Sequence, residues 1–262
     1  TGVQYVSPAS GYAGGLTPLP GPDGRRGGLR SPGGGNAPPF ITFYTKGVEI
    51  FRIFRYSERA RPCAQDGTIR TQRKEKSNME KAVVYFTDFR CPVGTSLTDK
   101  LRRLCIAAGM KNMDLTGKFV AIKMHFGELG NLAFLRPNYA KVVVDLCKEM
   151  GGLPFLTDCN TLYPGSRRNA LEHLDCANLN GFWPMTTGCQ ILIGDGLRGT
   201  DDVEVPVKNG EFCKTARIGR AIMDADVFIS LTHFKGHEMT GFGGAIKNIG
   251  MGCGSRAGKM DQ

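Results

Sequence analysis

From residue 79 onward, short apolar runs alternate with longer stretches in which apolar residues recur every three or four positions. The short runs indicate buried strands and the longer stretches indicate amphipathic helices. Strands that alternate with helices are typical of a parallel sheet covered by helices on both faces. The sequence therefore predicts one α/β domain over residues 79–262, with a mostly parallel sheet. The predicted strands are residues 82–87, 119–124, 153–157, 190–193 and 226–231. The predicted helices are residues 95–110, 138–150, 166–179 and 216–224, and one that begins near residue 243. A hairpin with a type I′ turn is predicted at residues 203–210.

The first 78 residues differ from the rest in composition. Residues 1–39 contain 11 glycines and 7 prolines, which break both helices and strands. Residues 40–44 form a short apolar patch, and residues 57–78 are again polar and basic. We expect residues 1–78 to be a disordered or non-native upstream segment, with Met79 as the natural start. The alternative is a genuine basic tail.

Charge and cysteine content narrow the classes of function. The net charge is +10, but residues 1–78 account for +7 of it, so the predicted domain is only mildly basic. This distribution argues against a nucleic-acid partner. No apolar run reaches the length of a membrane span, and no secretory leader is recognisable. Nine cysteines without a C-x-x-C pair indicate a reducing, cytoplasmic compartment and exclude a complete ferredoxin motif within these residues.

Ligands of open parallel sheets bind beyond the carboxyl ends of the strands. This rule selects three loops, at residues 125–136, 158–168 and 232–254. In the third loop, glycines and a following helix N-terminus would favour an anion, lysines would complement a carboxylate or phosphate, and a neutral imidazole could be a base or metal ligand. The alternative is a structural glycine turn with surface histidines. The candidate residues of this loop are His233, Lys235, His237, Gly241, Gly243, Gly244 and Lys247.

The remaining candidates lie in the other two loops and near the end of the chain. His125 and Glu128 could form an acid/base pair or bind a cation, or the histidine could simply cap its loop. Cys253 lies between two glycines, which would leave its sulfur accessible as a metal ligand. The second loop carries groups that are ordinary loop formers but can also orient a substrate. These groups are Asp158, Asn160 and Thr161.

Four motifs resemble the domain-of-unknown-function family 362, whose members are described as iron–sulfur centre proteins. They are KMHFGE at 123–128, TDCNT at 157–161, THFKGH at 232–237 and GFGGAIKNIGMGCGSRAGK at 241–259. The resemblance covers residues 80–262. It implies that a ferredoxin-like segment with 4Fe-4S clusters would follow residue 262. We therefore expect the domain to be incomplete at its C-terminus, and to work with an electron-transfer partner or its own ferredoxin-like segment.

A more distant resemblance is to the nickel-pincer lactate racemases. In that family a histidine, a glycine-rich turn and a lysine follow one another, and His237 and Lys247 have the same spacing here. The resemblance implies that His237 is a proton-transfer base and that Lys247 contacts a cofactor or another anion. The further metal-ligand histidine of that family has no counterpart after His237, the last histidine of the chain.

Three functions are open at this point. The first is a 4Fe-4S-associated redox protein, an oxidoreductase, whose α/β domain binds a small anionic ligand at loop 232–254. The second is a metal- or nickel-pincer-dependent racemase or epimerase of 2-hydroxy acids, with His125 and His237 as opposed acid and base. The third is a non-enzymatic cluster carrier or scaffold. None of them involves a nucleic acid or a membrane.

Overall fold

A mostly parallel sheet forms the centre of the domain. The structure is a computed structural model that describes residues 83–261 and, before them, the backbone of two strands. In the described residues the sheet has seven strands: β1 (Phe40–Thr45), β2 (Glu49–Phe54), β3 (Val84–Thr87), β4 (Phe119–Lys123), β5 (Leu153–Asp158), β6 (Ile191–Ile193) and β9 (Val227–His233). Their order is β3-β2-β1-β9-β4-β5-β6, and all run parallel except β2, which is antiparallel to both neighbours.

The other elements are two small hairpins and a set of helices. The hairpins are β7 (Asp202–Pro206) with β8 (Thr215–Gly219), and β10 (Lys235–His237) with β11 (Gly241–Gly243). The α-helices are α1 (Leu97–Ala107), α2 (Pro137–Glu149), α3 (Ala170–Leu179), α4 (Pro184–Thr187), α5 (Arg220–Met223) and α6 (Ala245–Gly250), and the 3-10 turns are Met110–Asn112 and Gly258–Met260. Within the described part of the chain, no helix is long and apolar enough to cross a membrane.

Successive side chains of β4 belong to two different cores. Val120 and Ile122 lie in the larger core, which also contains residues of α1 and α2. Ala121 lies in the smaller core with Ile222 of α5 and Cys253. Side chains of one strand alternate between the two faces of a sheet, so both faces of β4 are covered. The predicted α/β fold, with a mostly parallel sheet and helices on both faces, is confirmed.

The first helix shows how local sequence sets an element's boundary. Ser96 accepts a hydrogen bond from the Asp99 N–H at 3.1 Å, and Asp99 Oδ2 accepts one from the Ser96 N–H at 3.0 Å. This reciprocal capping satisfies two N–H groups that a helix start leaves without partners. Leu101, Leu104 and Cys105 form the buried stripe of the helix, as their spacing predicts. The capping box and the stripe place α1 against the larger core.

Several predicted boundaries are wrong. The third helix begins at Ala170 with Asn169 as its cap, four residues after the predicted start. Residues 216–219 of the helix predicted at 216–224 belong to the strand β8, and only α5 is helical. The hairpin of β7 and β8 forms, but residues 207–214 connect it, with only Asn209 at positive φ, rather than a two-residue type I′ turn. A short apolar run fits a strand or a helix equally well, and here pairing with β7 decides.

Two strands of the sheet lie within the segment predicted to be disordered. Strand β1 pairs in parallel with β9, and β2 pairs with β1 and β3. This pairing satisfies backbone groups that β9 would otherwise leave open at that edge, and disorder of the segment as a whole stays a prediction. The rest of residues 1–78 lies outside the described residues. A non-native origin of the segment, and a domain that is incomplete at its C-terminus, stay predictions.

Candidate functional site

The three predicted loops meet around one cavity. Strands β9, β4 and β5 are neighbours in the sheet, so their carboxyl ends lie side by side. A cavity of about 610 Å³ lies at these ends. It is lined by ten of the thirteen predicted site residues: His125, Glu128, Asp158, Thr161, His233, Lys235, His237, Gly243, Gly244 and Lys247. The structure thus brings most of the predicted site together, although it does not by itself assign their roles.

The other three predicted residues lie outside the cavity lining. Asn160 is fully buried, and both its N–H and its side-chain amide donate to Asp195 Oδ1, at 3.0 and 2.9 Å, so it braces the loop. Gly241 has a φ of 74° and faces His237 across the β10–β11 turn. Cys253 is buried in the smaller core. We expected its flanking glycines to leave the sulfur accessible, but the side chain is only 3% exposed because the segment packs against the sheet.

The described residues do not fit a metal site. Among residues 83–261, no group of three or more His, Cys, Asp or Glu side chains is arranged to hold a metal ion. Burial also raises the pKa of the Cys253 thiol to about 11, which disfavours the thiolate that a metal requires. The predicted ligand roles of His233 and Cys253 therefore lack support from the geometry.

A buried ion pair forms the floor of the cavity. Lys123, at the carboxyl end of β4, is 1% exposed, and its Nζ lies 2.9 Å from Asp158 Oδ1. The same ammonium group donates to Asn248 Oδ1 at 2.8 Å and to the Met124 carbonyl at 3.3 Å. These three acceptors account for all three ammonium hydrogens. Lys123 was not among the predicted site residues, although a lysine that ends an otherwise apolar strand is an unusual signal.

Arg167 extends this network to the cavity wall. It is 3% exposed and lies 3.5 Å from Asp158 Oδ2. Its Nε donates to Glu128 Oε1 at 3.1 Å, and its Nη2 also contacts that carboxylate. Burial lowers the pKa of the Arg167 guanidinium, but the two carboxylates outweigh this effect and raise it above its usual value. Glu128 is thus the ion-pair partner of Arg167, which was not among the predicted site residues, and the catalytic role of Glu128 stays a prediction.

Asp158 is the centre of the buried charges. Burial alone would raise its pKa, but Lys123, His173 and Arg167 together hold it well below the usual range. His173 is fully buried, and its Nε2 lies 3.7 Å from Asp158 Oδ2 without a hydrogen-bond partner. Asp158 therefore remains a carboxylate, and its main contacts are protein cations. This arrangement indicates a structural anchor beneath the site more than a group that orients a substrate.

The glycine-rich loop brings two lysines together above this floor. A Cβ placed on Gly243 would lie 3.6 Å from Lys247 Cδ and 3.9 Å from Lys235 Cγ, so both stems pass beside this glycine. Burial, reinforced by the charge of Lys235, lowers the pKa of Lys247. Helix α6, which follows the loop, has only six residues. The dipole of so short a helix is small, so the lysines supply most of the positive charge.

The two candidate histidines face the cavity with their Nδ1 atoms already engaged. His125 Nδ1 accepts the Gly127 N–H at 2.9 Å. His237 Nδ1 accepts the N–H groups of Met239 and Thr240 at 3.2 and 3.3 Å. Desolvation in the cavity, together with Arg167, lowers the pKa of His125 to about 3. The His125 imidazole is therefore neutral at physiological pH.

Comparison with known proteins gives the family. The sequence profile of Domain of unknown function (DUF362) matches residues 120–262. The chain belongs to this family. The match covers the whole cavity and all four motifs in full.

Two individual similarities accompany the family match. The Thylakoid-associated protein sll1697 from Synechocystis sp. is 28% identical over 151 residues, which are 55% of this chain and 42% of that protein. The chain thus matches less than half of its relative's length. The lactate racemase apoprotein from Thermoanaerobacterium thermosaccharolyticum is similar over 63% of this chain and 34% of its own, with 13% identity and a TM-score of 0.36. At that level the similarity carries no information about ligand or reaction.

Proposed function

We propose that this domain binds a small anionic ligand, a carboxylate or a phosphate, in the cavity at the carboxyl ends of β9, β4 and β5. The observation that carries the proposal is the convergence of Lys235 and Lys247 beside Gly243. Within the described residues, neither ammonium group has an ion-pair partner, in contrast to Lys123 and Arg167. Two like charges held together are destabilised until an anion lies between them.

The composition and size of the cavity support this proposal. Five basic and three acidic side chains line it, so it carries an excess of positive charge even with its histidines neutral. The acidic groups Asp158 and Glu128 are already paired with Lys123 and Arg167. A volume of about 610 Å³ lies within the usual range of small-molecule sites. The unpaired positive charge therefore belongs to the side of the cavity that a ligand can reach.

Calorimetric titration of the chain with inorganic phosphate, oxalate and pyruvate tests the proposal. We expect at least one of these anions to bind, and Lys247→Met or Lys235→Met to weaken that binding about tenfold, the loss expected for one charge-assisted hydrogen bond. Lys208→Met removes an equal charge from an exposed position outside the cavity and is the matched control. Equal losses in all three variants would point to nonspecific attraction and contradict the proposal.

The redox part of the proposal is that the domain serves a 4Fe-4S protein. Its only support is the resemblance of the four sequence motifs to iron–sulfur centre proteins. Within residues 83–261, no group of side chains is arranged to hold a metal ion. The clusters would have to be bound by another segment or another protein, which would also be the electron-transfer partner. Iron and acid-labile sulfide content, measured on this chain and on the longest natural product of its gene, tests this part. Iron and sulfide in the longer protein would support it, and their absence from both would contradict it.

A further inference from the structure

Both histidines of the cavity use the same ring atom to contact the backbone. His125 accepts one N–H through Nδ1, and His237 accepts two through Nδ1. A neutral imidazole carries one proton, and a nitrogen that accepts a hydrogen bond is the one without it. The proton of each neutral ring therefore lies on Nε2. We infer that His125 and His237 act as Nε2–H hydrogen-bond donors, and that the ligand is an oxyanion with several acceptor oxygens, such as a 2-oxo acid or a phosphate.

The backbone around His125 holds this tautomer in place. Gly127, which donates to the ring, has a φ of 90°, and a Cβ there would lie 2.7 Å from Asn180 Nδ2. Asn180 Nδ2 in turn donates to the Phe126 carbonyl at 2.9 Å. The Gly127 N–H is thus fixed in a crowded turn and points at Nδ1. Moving the imidazole proton to Nδ1 would set two donors against each other, at the cost of a lost hydrogen bond.

The charges around His125 keep the ring neutral as well. The facing groups are Lys123, Arg167 and His173, which disfavour an imidazolium, and Asp158, which favours it. Asp158 is already shared among Lys123, Arg167 and His173, so it offers little to another cation. The His125 side chain is itself exposed to the cavity, so the neighbouring charges are what the geometry shows to disfavour its charged form. The ring is therefore a neutral donor, as an uncharged imidazole that polarises a carbonyl oxygen would be.

This assignment changes the chemistry open to the site. A base at this position would accept a proton on Nε2, and a metal would bind the same lone pair, but that nitrogen carries hydrogen in the observed arrangement. The racemase alternative requires His125 and His237 to be an opposed acid and base, but in this arrangement both rings are hydrogen-bond donors. Together with Lys235 and Lys247, the two rings present hydrogen-bond donors to a ligand that has only acceptors to offer. This inference rests on the proposed anion site but concerns which anions it selects.

The tautomer can be measured without any ligand. A long-range proton–nitrogen correlation spectrum of the imidazole rings distinguishes the two neutral tautomers, and His125→Gln and His237→Gln assign the signals. We expect both rings to carry the proton on Nε2, and the His125 signals to stay constant between about pH 5 and about pH 8. A proton on Nδ1 of His125, or a titration of that ring near its ordinary pKa, would overturn the inference. This result does not depend on whether an anion binds.

Binding measurements then test the donor role. In His125→Gln the amide retains an N–H donor, whereas in His125→Phe the ring remains without one. We expect affinity for oxalate, pyruvate or phosphate to stay within about threefold in the first variant and to fall about tenfold in the second. Equal losses of affinity in the two variants would overturn the donor role.

The order of affinities identifies the class of anion. A preference for oxalate and pyruvate over phosphate would identify a 2-oxo acid, and the reverse would identify a phosphate. If none of the three binds, the anion site itself is wrong, while the spectrum still decides the tautomer.

Discussion

Lys123 Nζ and Asp158 Oδ1 lie 2.9 Å apart beneath the cavity, and both side chains are almost completely buried. Their backbones are held in register because β4 and β5 are paired, with Lys123 opposite Thr157. A buried ion pair of this kind adds little net stability relative to an apolar pair, but loss of one member leaves an uncompensated charge. The pair therefore makes the floor of the site sensitive to substitution.

Lys123→Met should destabilise the protein strongly. The substitution leaves Asp158 with only Arg167 and His173, and we expect a loss of about 3 kcal/mol or more in the free energy of unfolding, measured by urea denaturation. Lys141→Met, which breaks the exposed pair with Asp145, is the control and should cost less than about 1 kcal/mol. The double variant Lys123→Met with Asp158→Asn should regain part of the loss. If Lys123→Met lowers the free energy of unfolding no more than Lys141→Met does, the buried ion pair of Lys123 and Asp158 is contradicted.

Stability should fall in acid because of Asp158. The pKa of Asp158 is lower in the folded protein than its ordinary value of 3.8. Its contribution to stability is therefore complete at a pH well above 3.8, and it is lost as the pH falls below 3.8 toward the pKa of the folded state. The urea midpoint, measured at several pH values from neutral to acid, should therefore decline below about pH 5. Asp158→Asn should be less stable at neutral pH and should show a shallower decline. An unchanged slope in that variant would contradict the assignment.

As the pH rises, anion binding should weaken at a lower pH than it would if Lys247 had the pKa of an ordinary lysine. Burial and Lys235 lower the pKa of Lys247 below the usual 10.5, and a bound anion favours its charged form. Affinity should fall as the pH rises through the lowered pKa of Lys247, as measured by calorimetry. Lys235→Met removes the neighbouring charge, so the fall should move to higher pH, although affinity is lower throughout. A shift to lower pH, or no shift, would contradict the coupling.

Gly252→Ala should disturb the floor of the site. A Cβ at this position would lie 2.4 Å from Lys123 Nζ and 2.2 Å from the Asn248 carbonyl oxygen. Because one of these contacts is with backbone, we expect a loss of about 1–3 kcal/mol in the free energy of unfolding. Gly250→Ala, at the end of α6, meets no atom within 4 Å and should be neutral or slightly stabilising. Equal changes in the free energy of unfolding for the two variants would contradict the close packing at Gly252.

The sequence by itself determined the class of the fold and the place of the cavity. Strand and helix periodicity depend on each segment's own pattern of apolar residues, so β4, β5, β9, α1 and α2 are predictable without knowledge of their neighbours. The carboxyl ends of parallel strands lie at one edge, which brings His125, Asp158 and Lys235 to one cavity. Local patterns are therefore enough to locate the cavity.

Only the tertiary structure decided how the charges are paired and which ring atoms of the histidines contact the backbone. Lys123 contacts Asn248 across 125 residues, and Arg167 contacts Glu128 across 39, distances at which no sequence pattern signals a contact. The burial of Cys253 and the pairing of β8 with β7 likewise depend on packing partners elsewhere in the chain. The tautomers of His125 and His237 depend on the direction of single N–H groups, which is fixed only when the turns around them have folded.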